Sequence, residues 1–329
     1  MALPWSAMVH LVTAVNPFHV VDPSAGFRVA DVVTRARFDI AGLIVVLGAG
    51  TWYLLARHRA GGEGPAWADW RTGCFTAGLL TVALATLSGL SAFDATSVTV
   101  HMVNDTLMVL IAPILLSFGA PLTLAGRTAA PDWQDRIRAL VSSRAARSLT
   151  SPVVGWVLLG GALAGLYLTG LFQATVDHRS VDDAVHLGLL LVGMLFCWPA
   201  IGADPLPRPA SVPLRMVGTF FALPYFLILG MALESQNRPI AQGLSLSDFH
   251  QGAEVMWSTG ELLGVVASIG LLVLWVRSEE RSAVRRDGTD DTEAEAQLAA
   301  WRANRAAAAM EEALARTTVV NARPGPDHG

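Results

Sequence analysis

One stretch decides the fold, and it reads VTVHMVNDTLMVLIAPILLSFGA over residues 98–120. It is mostly apolar and exceeds the roughly 20 residues that a helix needs to cross a lipid bilayer. Six further stretches of similar length and character lie at roughly 38–57, 72–93, 152–174, 184–202, 212–233 and 257–276. The sequence therefore predicts an all-α fold, a polytopic integral membrane bundle of about seven transmembrane helices.

The composition agrees with a membrane protein and argues against several functions. Hydrophobic residues make up 53% of the chain and charged residues 15%, whereas soluble proteins carry about 25% charge. The net charge of −4 argues against a nucleic-acid partner. The sequence contains no nucleophile–base pair, HExxH motif or phosphate-binding glycine loop, so we predict that the protein is not an enzyme.

Three regions follow from the distribution of the apolar runs. Residues 1–37 are predicted to form an extracytoplasmic or interfacial segment, residues 38–277 the seven-span membrane domain, and residues 278–329 a cytoplasmic tail with a helix near 289–317. Arginines gather in the loops after the first, third, fifth and seventh predicted spans. Because basic loops stay on the cytoplasmic side, we expect a multi-pass protein of the cell (plasma) membrane, with its N-terminus outside and its C-terminus in the cytoplasm.

Two pairs of polar residues stand at the predicted outer ends of the third and fifth spans. His101 and Asp105 are four residues apart and share one helix face, and Asp182 and His186 repeat the pair in reverse order. Together the pairs could hold a metal ion with two nitrogen and two oxygen donors, and the thioether of Met102 could add a soft ligand for copper. The same residues are also typical of helix starts, where Asp stabilises the helix dipole.

Three groups of residues resemble the CtaG-type cytochrome c oxidase assembly family, and the resemblance extends over roughly residues 38–290. They are VHMV at 100–103 with APILL at 112–116 and GAP at 119–121, CWPAIGADPLPR at 197–208, and Trp257, Gly260 and Glu261 with WVRSEER at 275–281. Their order and spacing together make the match specific. Asp248 and Glu261 also fall on family positions, without an implied role.

The resemblance implies a seven-span metallochaperone of the respiratory chain, which delivers copper to the catalytic subunit of cytochrome c oxidase. It matches His101 and His186 to family histidines near the outer face. Other family histidines are replaced in this chain by Asp105, Asp182, Gly188 and Phe226. Because Cu(I) prefers imidazole and sulfur to carboxylate, the resemblance implies weaker Cu(I) binding here. His250, just outside the last span on the same face, could compensate.

Three functions remain open from the sequence. The first is an assembly factor that transiently holds copper at the outer face and passes it to a cytochrome c oxidase subunit. The second is a membrane b-type haem protein with His101 and His186 as axial ligands. The third is a metal-free assembly scaffold that works through the helix near 289–317. In each case the lipid bilayer surrounds the protein, and in the first and third cases the partners are oxidase subunits.

Overall fold

The computed structural model describes residues 27–35, 39–61, 66–204 and 211–321, and within these ranges the chain is helical without strands. Most of the predicted interfacial segment 1–37 lies outside the described residues. The helices are, in chain order, α1 Asp31–Thr34, α2 Ile40–Ala60, α3 Asp69–Leu87, α4 Gly89–Phe93, α5 Val98–Thr106, α6 Ala112–Phe118, α7 Pro121–Thr128, α8 Pro131–Ser142, α9 Arg144–Leu149, α10 Pro152–Leu168, α11 Leu171–Asp177, α12 Arg179–Ile201, α13 Val212–Glu234 and α14 Leu246–Asn321. A π-helical turn, Leu107–Ile111, joins α5 to α6.

The predicted fold class, an all-α membrane bundle, is confirmed. The described residues contain six segments that are long and apolar enough to cross a membrane: α2, α3 with α4, α5 through α6, α12, α13, and α14 as far as Arg277. Helices α10 and α11 pass the same test together but bend by 67° at their junction. Counted as one span, this bent pair is the fourth of seven and matches the prediction at 152–174. The spans are numbered on that basis below.

The last helix is longer than the sequence pattern indicated. We predicted a span at 257–276 and a separate helix near 289–317, whereas α14 runs without interruption over both. The reason is that the polar part contains no proline and is rich in Ala, Glu and Arg, which are strong helix formers. The chain divides into two compact units, Met1–Leu271 and Leu272–Gly329. The features described below belong to the first unit.

The third span lies at the centre of the first unit. Two-thirds of its apolar window (67%) is buried, against 17% for the first span. Gly193 of the fifth span lies directly against the π-helical turn, since a Cβ at this position would stand 2.6 Å from Cγ of Pro113 and 2.9 Å from the carbonyl carbon of Val109. Small residues at such contacts let membrane helices approach closely. The third and fifth spans are therefore packed backbone against backbone.

The start of the third span is capped by a residue from the last helix. The carboxylate of Asp248 accepts hydrogen bonds from the backbone N–H of Val98 at 2.6 Å, from the N–H of Thr99 at 3.3 Å and from the Ser97 hydroxyl at 3.1 Å. The first N–H groups of a helix have no partner within the helix, and a carboxylate there also opposes the positive end of the helix dipole. Asp248 therefore fixes where α5 begins, which gives this residue a structural role.

Replacing Asp248 with Ala should lower the free energy of unfolding by about 2 kcal/mol, since helix-capping hydrogen bonds to a carboxylate are lost. The measurement is thermal or denaturant unfolding of the protein purified in detergent. Ser247→Ala is the matched control, because Ser247 is exposed and its hydroxyl lies 2.8 Å from that of Ser245. Equal unfolding curves for the two variants would contradict the capping role.

Candidate metal centre

Five polar side chains from different segments meet inside the first unit. They are Asp94, His101, Asp105, Asp182 and His186, and we call them the His–Asp cluster. Each of the five is buried, with at most 6% of its surface exposed. Ionisable groups at membrane depth are costly and for that reason commonly mark functional sites. The cluster is therefore the first candidate for the function of this protein.

Local structure explains how these residues come together. His101 and Asp105 lie one turn apart on α5, and Asp182 and His186 lie one turn apart in the first two turns of α12. Asp94 directly follows α4 and ends the second span, where the backbone N–H groups of Thr96 and Ser97 bond to the Phe93 carbonyl. This tight turn folds the Asp94 carboxyl back beside α5. Three spans thus contribute to the cluster.

The two imidazole rings lie side by side with their centroids 5.8 Å apart. Nδ1 of His101 is 2.9 Å from Asp94, and Nδ1 of His186 is 3.7 Å from Asp182. The other nitrogens both approach a single carboxylate: Nε2 of His101 is 3.5 Å and Nε2 of His186 is 3.4 Å from Asp105. Each ring therefore presents Nδ1 to one group of carboxylates and Nε2 to the shared Asp105.

A second layer of residues holds the carboxylates. The Asn104 amide donates a hydrogen bond to Asp94 at 2.8 Å, and the Tyr167 hydroxyl donates to Asp105. The ring of Phe172 meets that of His101 edge to face, with centroids 4.6 Å apart. Tyr167 and Phe172 belong to the two arms of the bent fourth span. The bend thus lets one span cover the cluster from two directions.

Several buried atoms of the cluster make no hydrogen bond of ordinary geometry. They are both ring nitrogens of His101, Nε2 of His186, Oδ1 of Asp105 and Oδ1 of Asp182. Buried polar atoms are nearly always hydrogen-bonded in native proteins, because an unpaired one costs about 1–3 kcal/mol. A group of such atoms facing each other is consistent with a cation as the missing partner.

The charge of the cluster also favours a cation. Three carboxylates face two imidazoles, and among the described residues no arginine forms an ion pair with any member of the cluster.

The geometry suits a four-coordinate metal ion. One donor atom each from Asp94, His101, Asp182 and His186 can be chosen so that all four lie within 4.8 Å of one another. Tetrahedral metal–ligand bonds of about 2.0–2.2 Å place the donors about 3.4 Å apart, so the most distant of these atoms would have to approach one another on binding. Two imidazole nitrogens and two carboxylate oxygens suit borderline transition-metal ions. Asp105 stands behind these four donors and contacts both rings.

The structure brings together four of the six predicted ligands and places the other two elsewhere. Met102 follows His101 by about 100° of helix rotation, and its sulfur faces the last helix, 2.9 Å from where a Cβ on Gly252 would stand. His250 lies with its Nε2 3.0 Å from the Gln236 carbonyl oxygen. Asp94 was missed by the sequence reasoning. The sequence signal that could have identified Asp94 is its position in the very short connection between the second and third predicted spans, a few residues before His101.

The fold and the cluster together define a polytopic helical membrane protein with a candidate metal centre. Residues 51–278 match the family model described as the cytochrome c oxidase caa3 assembly factor, Caa3_CtaG. Because this match covers more than half of the chain, the chain belongs to that family, and the predicted resemblance is confirmed.

Curated relatives of the chain occur in mycobacteria. Uncharacterized proteins of Mycobacterium bovis and Mycobacterium tuberculosis are each 28% identical over 320 residues, which cover 90% of this chain and 48% of theirs. An uncharacterized protein of Mycobacterium leprae is 30% identical over 288 residues, or 81% of this chain and 43% of the relative. The chain thus spans about half the length of these relatives. No solved structure matches it.

Proposed function

We propose that the protein is an assembly factor for cytochrome c oxidase that holds a copper ion at the His–Asp cluster and passes it to an oxidase subunit. Membership of the assembly-factor family supports the first part of this proposal. The single observation that carries the second part is the buried group of two imidazoles and three carboxylates with unpaired donor atoms. Copper is here the cargo of the protein, so binding has to be reversible.

The position of the cluster along the spans suits transfer of an ion. Asp94 lies at the end of the second span, and Asp182 lies in the first turn of the fifth. Both residues are thus close to helix ends, where the path from the cluster to the membrane surface is short. Because the four donors include no sulfur, they are a weaker set for Cu(I) than thiolate or thioether ligands. Weaker binding favours release to a partner.

We propose that the protein lies in the plasma membrane, with its N-terminus outside and its C-terminus in the cytoplasm. The distribution of arginines between alternate loops supports this orientation. In this orientation the His–Asp cluster lies on the outer side of the membrane. Copper would accordingly be handed over at the outer face.

The geometry does not favour a b-type haem between His101 and His186. An iron bound by both rings requires a porphyrin to lie between the two ligating nitrogens. Both Nε2 atoms lie within 3.5 Å of the same Asp105 carboxylate, which Tyr167 also contacts. A porphyrin would have to displace this carboxylate. The purified protein should therefore show no Soret absorption band, and a stoichiometric Soret band would support haem instead.

Excess copper in the growth medium should partly restore oxidase activity to cells that lack the protein. The reason is that a delivery function can be bypassed when its cargo is abundant, whereas a scaffold cannot be replaced by an ion. The measurement is oxidase activity in membranes of the deletion strain grown with low and with high copper. Zinc at the same concentration is the control. Activity that stays low at high copper would contradict copper delivery and favour the scaffold.

A further inference from the structure

We infer that the His–Asp cluster selects a divalent ion, bound through Nδ1 of His101, Nδ1 of His186 and one oxygen each of Asp94 and Asp182. Asp105 and Tyr167 hold the two rings from the opposite side. The inference rests on the proposed function and extends it, since it names the ligating atoms and the charge of the ion. It also assigns a positioning role to Tyr167, which lies outside the set of ligands.

The partners of Nδ1 and Nε2 determine which nitrogen of each imidazole ring binds the ion. A neutral imidazole has one N–H donor and one free lone pair, and the partner of the N–H decides which nitrogen carries it. The Nε2 atoms of His101 and His186 both face Asp105, at 3.5 and 3.4 Å. This carboxylate can accept a hydrogen bond from each Nε2–H. Without an ion, the 2.9 Å approach of His101 Nδ1 to Asp94 holds a proton between these two atoms. A divalent ion would displace that proton and bond to the Nδ1 lone pairs beside Asp94 and Asp182.

Tyr167 completes this arrangement from the fourth span. Its hydroxyl donates to Oδ2 of Asp105, and its side chain is 1% exposed. Asp105 thus accepts a hydrogen bond and also approaches both ligand rings. In protein metal sites, residues just outside the ligands commonly hold the ligand rings in this way and set their tautomer. Tyr167 thus acts on the metal through Asp105 and the two rings.

The donor atoms determine the class of ion. Two carboxylates and two neutral imidazoles carry two negative charges, and Asp105 adds a third, so a doubly charged ion is neutralised better than a singly charged one. Nitrogen and oxygen donors suit Cu(II) or Zn(II), whereas Cu(I) prefers sulfur. The thioether of Met102, which is next to His101 in the sequence, faces Gly252 of the last helix instead. Cys197 is eleven residues, about 16 Å of helix, beyond His186.

The test is a metal titration of the full-length protein, purified in detergent and stripped of metal. Cu(II), Zn(II) and, under anaerobic reducing conditions, Cu(I) are added separately. We expect one Cu(II) per chain, with an electron paramagnetic resonance spectrum that shows coupling to two nitrogens, and competition by Zn(II). Met102→Leu should leave the Cu(II) affinity unchanged. Asp94→Asn should weaken it.

Tyr167→Phe should lower the Cu(II) affinity about 10–100-fold, as is typical for loss of an outer-shell partner. Tyr53→Phe is the matched control, because Tyr53 is also 1% exposed and its hydroxyl donates a 2.8 Å hydrogen bond to the Gly119 carbonyl, away from the cluster. If Tyr167→Phe proves too unstable to purify, Asp105→Asn removes the negative charge and one of the two acceptor oxygens of that side chain with little change of shape. An equal affinity for the Tyr167 and Tyr53 variants would overturn the positioning role.

The outcomes separate this inference from the proposed function. Tighter binding of Cu(I) than of Cu(II), lost in Met102→Leu, would overturn the divalent site but leave copper delivery standing. Stoichiometric Cu(II) or Zn(II) binding, combined with normal oxidase assembly in cells that carry Asp94→Asn, would uphold the divalent site and contradict copper delivery. A protein that binds none of the three ions would contradict both.

Discussion

Cells that carry the double substitution His101→Ala and His186→Ala should lose the oxidase activity that depends on this protein, down to the level of a deletion strain. The substitutions remove two of the four proposed ligands. The loss of copper affinity should therefore exceed the roughly 10–100-fold typical of outer-shell changes. The protein should still reach the membrane, because the third and fifth spans pack through Gly193 and the π-helical turn rather than through the two rings. The measurements are oxidase activity and the amount of the variant in membranes.

The matched control is the double substitution His178→Ala and His250→Ala. His178 is exposed, and His250 lies with its ring 3.0 Å from the Gln236 carbonyl oxygen, so neither ring belongs to the cluster. The His178 carbonyl accepts a hydrogen bond from the Asp182 N–H, and this backbone bond is kept when His178 becomes Ala. This control should keep near-normal oxidase activity. If the first variant accumulates poorly, His101→Asn with His186→Asn removes the rings but keeps polar side chains. Oxidase activity of either cluster variant equal to that of the control would refute the role of the two histidines.

Gly193→Ala should lower the free energy of unfolding by about 1–3 kcal/mol, the usual range for inserting an extra carbon into a packed interior. The added Cβ would stand 2.6 Å from Pro113 Cγ and 2.9 Å from the Val109 carbonyl carbon. Backbone atoms and a proline ring have no other rotamer to adopt, so the third and fifth spans must separate. Since these spans carry both histidines, copper affinity should fall as well. Thermal unfolding in detergent measures the first effect and metal titration the second.

Gly188→Ala is the control for this prediction and should have the opposite sign. Gly188 lies on the same helix, and a Cβ at that position would meet nothing within 4 Å. Ala is favoured over Gly in a helix interior by about 1 kcal/mol, so the variant should be neutral or slightly more stable. A similar loss of stability in Gly188→Ala and Gly193→Ala would mean that close packing of the two spans is not the cause.

The apolar runs were sufficient to predict the fold, because hydrophobic length alone decides whether a helix can cross a bilayer. Helix periodicity was also sufficient to pair His101 with Asp105 and Asp182 with His186. Periodicity cannot show which spans are neighbours, since that depends on close contacts such as the one at Gly193. The meeting of the two pairs was therefore a hypothesis from the sequence, and the structure supplies the distances between them.

Other features of the site had weaker sequence signals. Asp94 lies in a turn, so helix periodicity does not show that it comes close to His101. Tyr167 lies in a span that bends by 67°, and no proline marks the bend in the sequence.

The π-helical turn has a clearer cause. Pro113 has no N–H to bond to the carbonyl four residues earlier, and the Ala112 N–H bonds to the Leu107 carbonyl, five residues back.

The most direct test of the central claim, that the His–Asp cluster holds a metal ion, is the metal content of the protein purified from cells grown with copper. We expect about one copper ion per chain in the wild type and in the control that lacks His178 and His250. We expect almost none in the variant that lacks His101 and His186. The same copper content in all three proteins would contradict a metal site at the cluster.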